Sequence, residues 1–166
     1  EDGKGITILK IAIIGGTGLL GSNLVNIYSN HDVRSFSRSQ SINVSDIKNQ
    51  IINFDNLNYE LSNYFNLWKP NIIINTIAIV NLQKCENDYD VAQKVNCDLA
   101  SELSMISKKY NCYFIHISTD HFYDDNLIFH SELDKVSLKN NYAKTKFNAE
   151  KEVVLNNSQA LVVRTN

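Results

Sequence analysis

The sequence predicts an α/β fold, a doubly wound parallel sheet, and three observations carry that expectation. Short apolar runs alternate with stretches of helical period, the first run is continuously apolar instead of alternating with polar residues, and glycines crowd the first strand-to-helix junction. Strands of a parallel sheet are covered on both faces, so a continuous apolar run is what they require.

The first strand is Lys10-Ile-Ala-Ile-Ile14, which ends at glycines. Leu20, Leu24, Val25 and Ile27 then recur at helical spacing, and Ser29-Asn-His-Asp32 stops the pattern before a second strand at Val33-Arg-Ser-Phe36. Ile51–Phe54 reads as a third strand. Leu57, Leu61, Tyr64, Phe65 and Trp68 mark the next helix, which Lys69-Pro70 closes because the residue before a proline avoids helical backbone. Asn71-Ile-Ile-Ile-Asn-Thr76 is a fourth strand, followed by a loop, a long helix from about Asp88 to Tyr110, and a fifth strand at Tyr113-Phe-Ile-His-Ile-Ser118. Thr119 to Asn141 is a polar segment long enough to count as a functional loop. Ala143, Phe147 and Val154 share one face of a last helix, and Ala160-Leu-Val-Val-Arg164 is the sixth strand. The leader Glu1–Gly5 and the residues up to 9 read as an extension, with residues 10–166 forming one domain.

Composition excludes several classes of partner. The 166 residues are enough for one core, and a formal charge of −2 without a Lys or Arg run lacks the footprint of a nucleic-acid binder. No apolar run reaches the length needed to cross a bilayer. Cys85, Cys97 and Cys112 lack zinc or redox spacing and read as free, mostly buried thiols, which fits a reducing cytoplasm. His31, His116, His121 and His130 show no metal-ligand spacing, and His116, inside a strand, reads as a packed, hydrogen-bonded histidine.

The glycine cluster is Gly15-Gly-Thr-Gly-Leu-Leu-Gly21. Glycine is needed where the chain turns tightly and where main chain must approach a pyrophosphate, and the helix that follows offers unpaired N–H groups to the anion. An ordinary strand-to-helix turn needs only one glycine. The loop therefore points to a dinucleotide and to an NAD(P)-binding Rossmann fold. The end of the second strand, Ser35-Phe-Ser-Arg-Ser39, lacks the acidic residue that would accept a ribose 2′-hydroxyl. Arg38 can instead receive a 2′-phosphate, favouring NADP(H) while leaving NAD(H) open; a solvated surface arginine is the alternative. Asp55 is placed either to accept from the adenine amino group or to cap a helix.

Tyr142-Ala-Lys-Thr-Lys146 sets a phenol and an ammonium four residues apart, on one helical face. Reducing a ketone requires a proton for the developing alkoxide and a second donor to hold the oxygen. Tyr142 is the candidate acid, and Lys146 the charge that stabilises its phenolate. Thr119 follows the fifth strand, at the sheet edge where ligands bind, and is the candidate second donor, with Ser118 lining the cofactor side.

These stretches, with Lys69-Pro-Asn-Ile-Ile-Ile-Asn75, Val95-Asn96 and Ser118-Thr-Asp120, resemble the extended short-chain dehydrogenases/reductases, and among them the dTDP-4-dehydrorhamnose reductase group. The resemblance covers nearly all of the chain after residue 9. It implies hydride transfer from NADPH to the C4 ketone of a deoxysugar nucleotide. Thr119, Tyr142 and Lys146 match the catalytic trio, with Lys146 also holding the nicotinamide ribose. Gly15, Thr17, Gly18, Leu19, Leu20 and Gly21 match the phosphate loop, and Asn75 and Ala78 fall at the cofactor contact of the fourth strand. Such enzymes continue for a comparable further stretch, so the substrate domain is expected to be largely absent from this chain. Expected partners are a nucleotide-sugar substrate, with a homodimer open, and neither nucleic acid nor membrane.

The chain departs from the group in Ala78-Ile-Val-Asn-Leu-Gln83, in His121-Phe-Tyr-Asp-Asp125, at Leu138 and at Ala143, changes that bear on the sugar and spare the hydride chemistry. An epimerase or dehydratase uses the same Tyr–Lys pair, although a dehydratase wants two acids after the threonine and only Asp120 is present. A non-catalytic, NADP-binding regulatory subunit on the same fold is the reading from another class.

Overall fold

The structure is a computed structural model that describes residues 7–39, 49–123 and 130–165. Most of the leader and residues 124–129 of the long loop, including Asp124 and Asp125, lie outside the described residues.

In chain order the elements are β1 (Lys10–Ile14), α1 (Leu19–Ile27), β2 (Asp32–Ser37), β3 (Asn49–Ile51), α2 (Leu57–Trp68), β4 (Ile72–Asn75), α3 (Leu82–Asn87), α4 (Tyr89–Gln93), α5 (Leu99–Lys109), β5 (Tyr113–Thr119), α6 (Asn141–Asn156) and β6 (Leu161–Thr165). The strands form one six-stranded sheet in the order β3-β2-β1-β4-β5-β6, and every pairing is parallel. Strand order reverses between β1 and β4, the switch point at which an open parallel sheet leaves a crevice beyond its carboxyl edge.

Side chains of β1 alternate between two cores. Ala12 and Ile14 face a cluster with Leu61 and Phe65 of α2, Leu103 of α5 and Val153 of α6, whereas Ile11 and Ile13 pack with Val25 of α1. The sheet is thus covered on both faces, as a doubly wound fold requires, but unevenly. One face carries three helices and the other α1, and beyond α1 the β5 residues Ile115 and Ile117 are only half-buried. Phe65 centres the larger core, with ring centroids of Phe36 at 5.8 Å and Tyr110 at 5.5 Å, both edge-on.

Three elements differ from expectation. The third strand, read at Ile51–Phe54, ends at Ile51, because the Asn53 side chain accepts the Asp55 N–H at 3.0 Å and starts a 3-10 turn over Phe54–Asn56. The helix expected from Asp88 to Tyr110 is α4, a π turn over Lys94–Asp98 and α5, and the loop before it contains α3, capped by the Asn81 side chain. On α6, Ala143 is buried and Phe147 packs edge-on against Phe122, as expected, but Val154 is 48% exposed, and the buried stripe continues through Thr145, Lys146, Ala149, Glu150 and Val153. An apolar pattern could not trace the whole stripe, because three of its six members are polar and find their partners inside the protein.

Truncating Phe65 to alanine is expected to cost about 3–5 kcal/mol of unfolding free energy, measured by urea denaturation, since two edge-on ring contacts and a fully buried side chain are lost together.

Candidate active site

The glycine loop turns at the end of β1 with Gly15 at φ +93°, in the left-handed region, and the Gly15 N–H donates to the Phe36 carbonyl at 2.8 Å. A methyl group on Gly21 would lie 2.2 Å from the Gly15 carbonyl oxygen, so the protein itself demands glycine there. Gly18 differs. Its φ is −76°, and an added Cβ would meet only the Gly15 carbonyl oxygen, at 3.3 Å. A side chain at 18 would thus press on main chain, less severely than at 21, and a phosphate group resting against the loop would exclude it as well. Gly18 also starts α1 without any side-chain cap, and no acidic residue occupies the first turn, so the helix N-terminus remains available to an anion. These features fit a dinucleotide pyrophosphate. Leu19 and Leu20 of that turn are exposed.

Two adjoining clefts open beside this loop. One, of about 200 Å³, is lined by Gly15, Thr17, Gly18, Arg38 and Ala78 among others. The second, of about 690 Å³, includes Asp55, Lys94 and Glu102 in its wall, and Arg38, Phe54 and Ile77 line both. Asp55 does not cap the 3-10 turn, which Asn53 does, but pairs with Lys94 across 2.7 Å. That ammonium holds the Asp55 carboxyl below its usual range. Both side chains are largely exposed, so the pair contributes little to stability.

The catalytic candidates gather at the carboxyl end of β5 and the start of α6. Asn140 caps α6 by accepting the Ala143 N–H at 2.7 Å, and Glu86 of α3 accepts the Asn141 N–H at 2.6 Å. These two bonds fix the first turn, and with it Tyr142. The Tyr142 phenol lies near the Thr119 hydroxyl, which accepts the His121 N–H at 3.1 Å. Burial raises the phenol above its ordinary pKa, and the neighbouring Thr119 hydroxyl only partly opposes this. Lys146 is not the group acting on it. The Lys146 side chain is 1% exposed, and its Nζ donates to the Ile117 carbonyl at 2.6 Å and lies 3.4 Å from His116 Nε2. Burial pushes its pKa down to about 8, against a smaller upward pull from Glu150.

Ser118 and Asn75, expected along the cofactor, have their side chains turned into the protein. Ser118 Oγ donates to Glu150 Oε1 at 2.6 Å, while Asn75 accepts the Ile77 N–H at 3.0 Å and meets His116 Nδ1 at 3.1 Å. Both shape the site from beneath. Asn96 lies inside the π turn. It accepts the Ile79 N–H at 2.7 Å and donates to the Ile79 carbonyl and to Thr145 Oγ1, tying the loop after β4 to α6. Glu150 escaped sequence reasoning, although it stands four residues beyond Lys146, on the same helical face as Tyr142. It binds Arg164 of β6 through Nε at 3.0 Å and Nη2 at 2.7 Å.

The sequence profile of the RmlD substrate binding domain matches residues 9–166. The chain belongs to this family. It is similar to methionine adenosyltransferase 2 subunit beta of Bos taurus, with 26% identity over 99% of the chain and 48% of that protein. It is 30% identical to the dTDP-4-dehydrorhamnose reductase of Salmonella typhimurium over 58% of the chain and 33% of that enzyme. The crystal structure of a dTDP-4-dehydrorhamnose reductase from Bacillus anthracis in complex with NADP superposes with a TM-score of 0.80 at 20% identity, over 96% of the chain and 54% of that structure, and shares its fold. The chain spans about half the length of these matches at most. The free thiols Cys85, Cys97 and Cys112 are all buried, as expected. No helix among the described residues is long and apolar enough to cross a membrane.

The depressed Lys146 pKa has a consequence for folding. Lys146 titrates at about 8 when folded and at 10.5 when free, so between these values the unfolded chain binds more protons and stability rises with pH. At roughly 1.4 kcal/mol per pKa unit the gain approaches about 3 kcal/mol. Urea denaturation at pH 8 and pH 10 is expected to show wild type gaining on Lys146→Met by an amount of this order; parallel curves for the two proteins contradict it.

Proposed function

We propose that the chain is the cofactor-binding part of an NADP-dependent reductase that converts the C4 ketone of a dTDP-4-keto-6-deoxysugar to an alcohol. The observation that carries this reading is the alignment, along one sheet edge, of the uncapped helix start at Gly18 with the neighbouring hydroxyls of Thr119 and Tyr142. The RmlD family and the dTDP-4-dehydrorhamnose reductases among its matches support the substrate class. The NADP in the Bacillus anthracis structure supports the cofactor.

When bound, the nicotinamide supplies the hydride. Tyr142, kept protonated by burial, delivers a proton to the oxygen that becomes an alkoxide, and Thr119 steadies that oxygen with a second hydrogen bond. Once released from the Ile117 carbonyl, Lys146 as an ammonium holds the nicotinamide ribose and from there stabilises the phenolate left after proton transfer. Gly15, Thr17, Gly18, Leu19, Leu20 and Gly21 seat the pyrophosphate, and Ala78 closes the cleft opposite them. Arg38 meets a 2′-phosphate, and Asp55, with Lys94, borders the adenine side. Asn75 and Ser118 serve through the backbone they hold. Three buried thiols suit a reducing cytoplasm.

A second reading, a non-catalytic NADP-binding regulatory subunit, draws on the match to methionine adenosyltransferase 2 subunit beta across 99% of the chain. An epimerase shares the Tyr142–Lys146 pair, while the single Asp120 before His121 speaks against a dehydratase.

The deciding experiment follows NADPH consumption by the full-length protein with dTDP-4-keto-6-deoxyhexoses. Tyr142→Phe is expected to lower kcat by at least about 100-fold with NADPH affinity retained. Equal turnover by the two proteins removes Tyr142 as the acid, and NADPH binding without turnover in wild type transfers the assignment to the regulatory reading.

Cofactor choice is tested by titrating NADPH and NADH. Arg38→Ala is expected to weaken NADPH about 10- to 100-fold relative to NADH, as loss of charge-assisted bonds to one phosphate should. An unchanged ratio takes Arg38 out of the site.

A further inference from the structure

Beneath the proposed site, a chain of buried hydrogen bonds runs from the end of β4, through β5, to α6. The Ile77 N–H donates to Asn75 Oδ1 at 3.0 Å, Asn75 Nδ2 meets His116 Nδ1 at 3.1 Å, His116 Nε2 meets Lys146 Nζ at 3.4 Å, and Lys146 Nζ donates to the Ile117 carbonyl at 2.6 Å. Asn75, His116 and Lys146 are each no more than 1% exposed. The proposed hydride chemistry makes no use of His116.

Donors and acceptors give this chain a direction. Only the oxygen of Asn75 can accept the Ile77 N–H, so its amide nitrogen faces His116 Nδ1 and donates to it. An imidazole with one proton then carries it on Nε2, aimed at Lys146. An ammonium has three N–H donors and no lone pair, and would set N–H against N–H; a neutral amine accepts from Nε2–H and still donates to Ile117. Protonating the ring twice offers no escape, because Nδ1–H would then oppose the Asn75 amide, and burial beside Lys146 drives the His116 pKa well below its ordinary value.

We propose that His116 is a positioning residue that favours the neutral amine of Lys146 in the unliganded protein, so that in alkaline solution dinucleotide binding, which calls for the ammonium, takes up one proton from solvent. This rests on the dinucleotide reading of the site. Three titratable groups face Lys146: His116 from β5, Cys97 from the π turn and Glu150 from its own helix. Cys97 is pushed up to about 11 by burial and stays a thiol. Glu150 is engaged by Arg164 and Ser118, and acts on Lys146 only through its charge. With Lys146 held down to about 8 by burial, the neutral amine dominates above that pH.

The sign follows from linkage. Binding favours the protonated lysine, so affinity is flat below about pH 8 and falls above it, log Kd rising by up to one per pH unit. The test is equilibrium binding of NADPH, read by its fluorescence between pH 7 and 9.5, with proton uptake measured in weakly buffered indicator dye. NADH is run in parallel to remove any titration of the 2′-phosphate. Wild type is expected to take up close to one proton per dinucleotide at pH 9 and few at pH 7. In His116→Gln the amide oxygen can accept from an ammonium. In Asn75→Asp the carboxylate accepts from Nδ1–H and frees Nε2 to accept. Both variants are expected to move the break in log Kd upward by about one pH unit or more. NADPH binding with a flat profile and no proton uptake in wild type overturns the proposal and leaves the dinucleotide reading standing. A wild-type break that both variants leave in place overturns the part given to His116. Absence of NADPH binding at every pH removes both readings together.

Discussion

The close approach of main chain to main chain at the end of β1 is the constraint on which the rest of the site depends. Gly21 of α1 packs so near the Gly15 carbonyl that no side chain fits, and the Gly18 N–H returns to that same carbonyl at 2.9 Å. Helix and strand are locked at a distance only glycine permits. The uncapped first turn of α1 is thereby held at the crevice where strand order reverses, with Thr76 of the neighbouring strand end donating to the Ile14 and Gly15 carbonyls. Remove that contact and the cradle has no fixed relation to β4 or β5, and so none to the phenol beyond them.

The second half of the site is organised by α6, whose buried stripe is unusual in being largely polar. Tyr142, Lys146 and Glu150 follow one another along the helix and play different parts. The first sets a phenol against Thr119, the second an amine beneath β5, and the third a carboxylate that ties Arg164 of β6 to Ser118 of β5. Arg164 also bonds the Tyr123 hydroxyl, bringing the loop after β5 into the same network. Burying so many polar groups costs free energy unless every one finds a partner, and here the partners come from two strands and a π turn. The helix is in this way registered against the sheet by directional bonds as well as by apolar contact, which suits a site that must hold a phenol and an amine in fixed relation.

How legible these features were in the sequence depended on how local their causes are. The glycine loop could be read because turn, helix start and close packing all fall within seven residues. The alternation of strands and helices pointed to the parallel sheet, and α2 was found to the residue because four apolar side chains at helical spacing all reach the core. Where tertiary bonds overrode periodicity, the reading slipped. On α6 the apolar pattern of Ala143, Phe147 and Val154 finds the buried Ala143 but not the rest of the stripe, which follows Lys146 and Glu150 while Val154 is exposed. The six-residue α3 was missed, being too short to show a period and marked only by its Asn81 cap. The break in the helix after Asp88 could not be seen either, since the π turn exists to turn Asn96 toward Ile79 and Thr145.

By itself the chain's sequence determined the class of fold, the place of the glycine loop and the helical spacing of Tyr142 and Lys146, because each follows from backbone sterics or from the pitch of one helix. Only the tertiary structure decided that Lys146 ends against Ile117 and His116 instead of the phenol, that Asp55 meets Lys94, and that Ser118 and Asn75 face inward. Those outcomes depend on which polar groups meet inside a dry interior, where a partner is worth far more than in water, and residues far apart in sequence become such partners only once the sheet has brought them together.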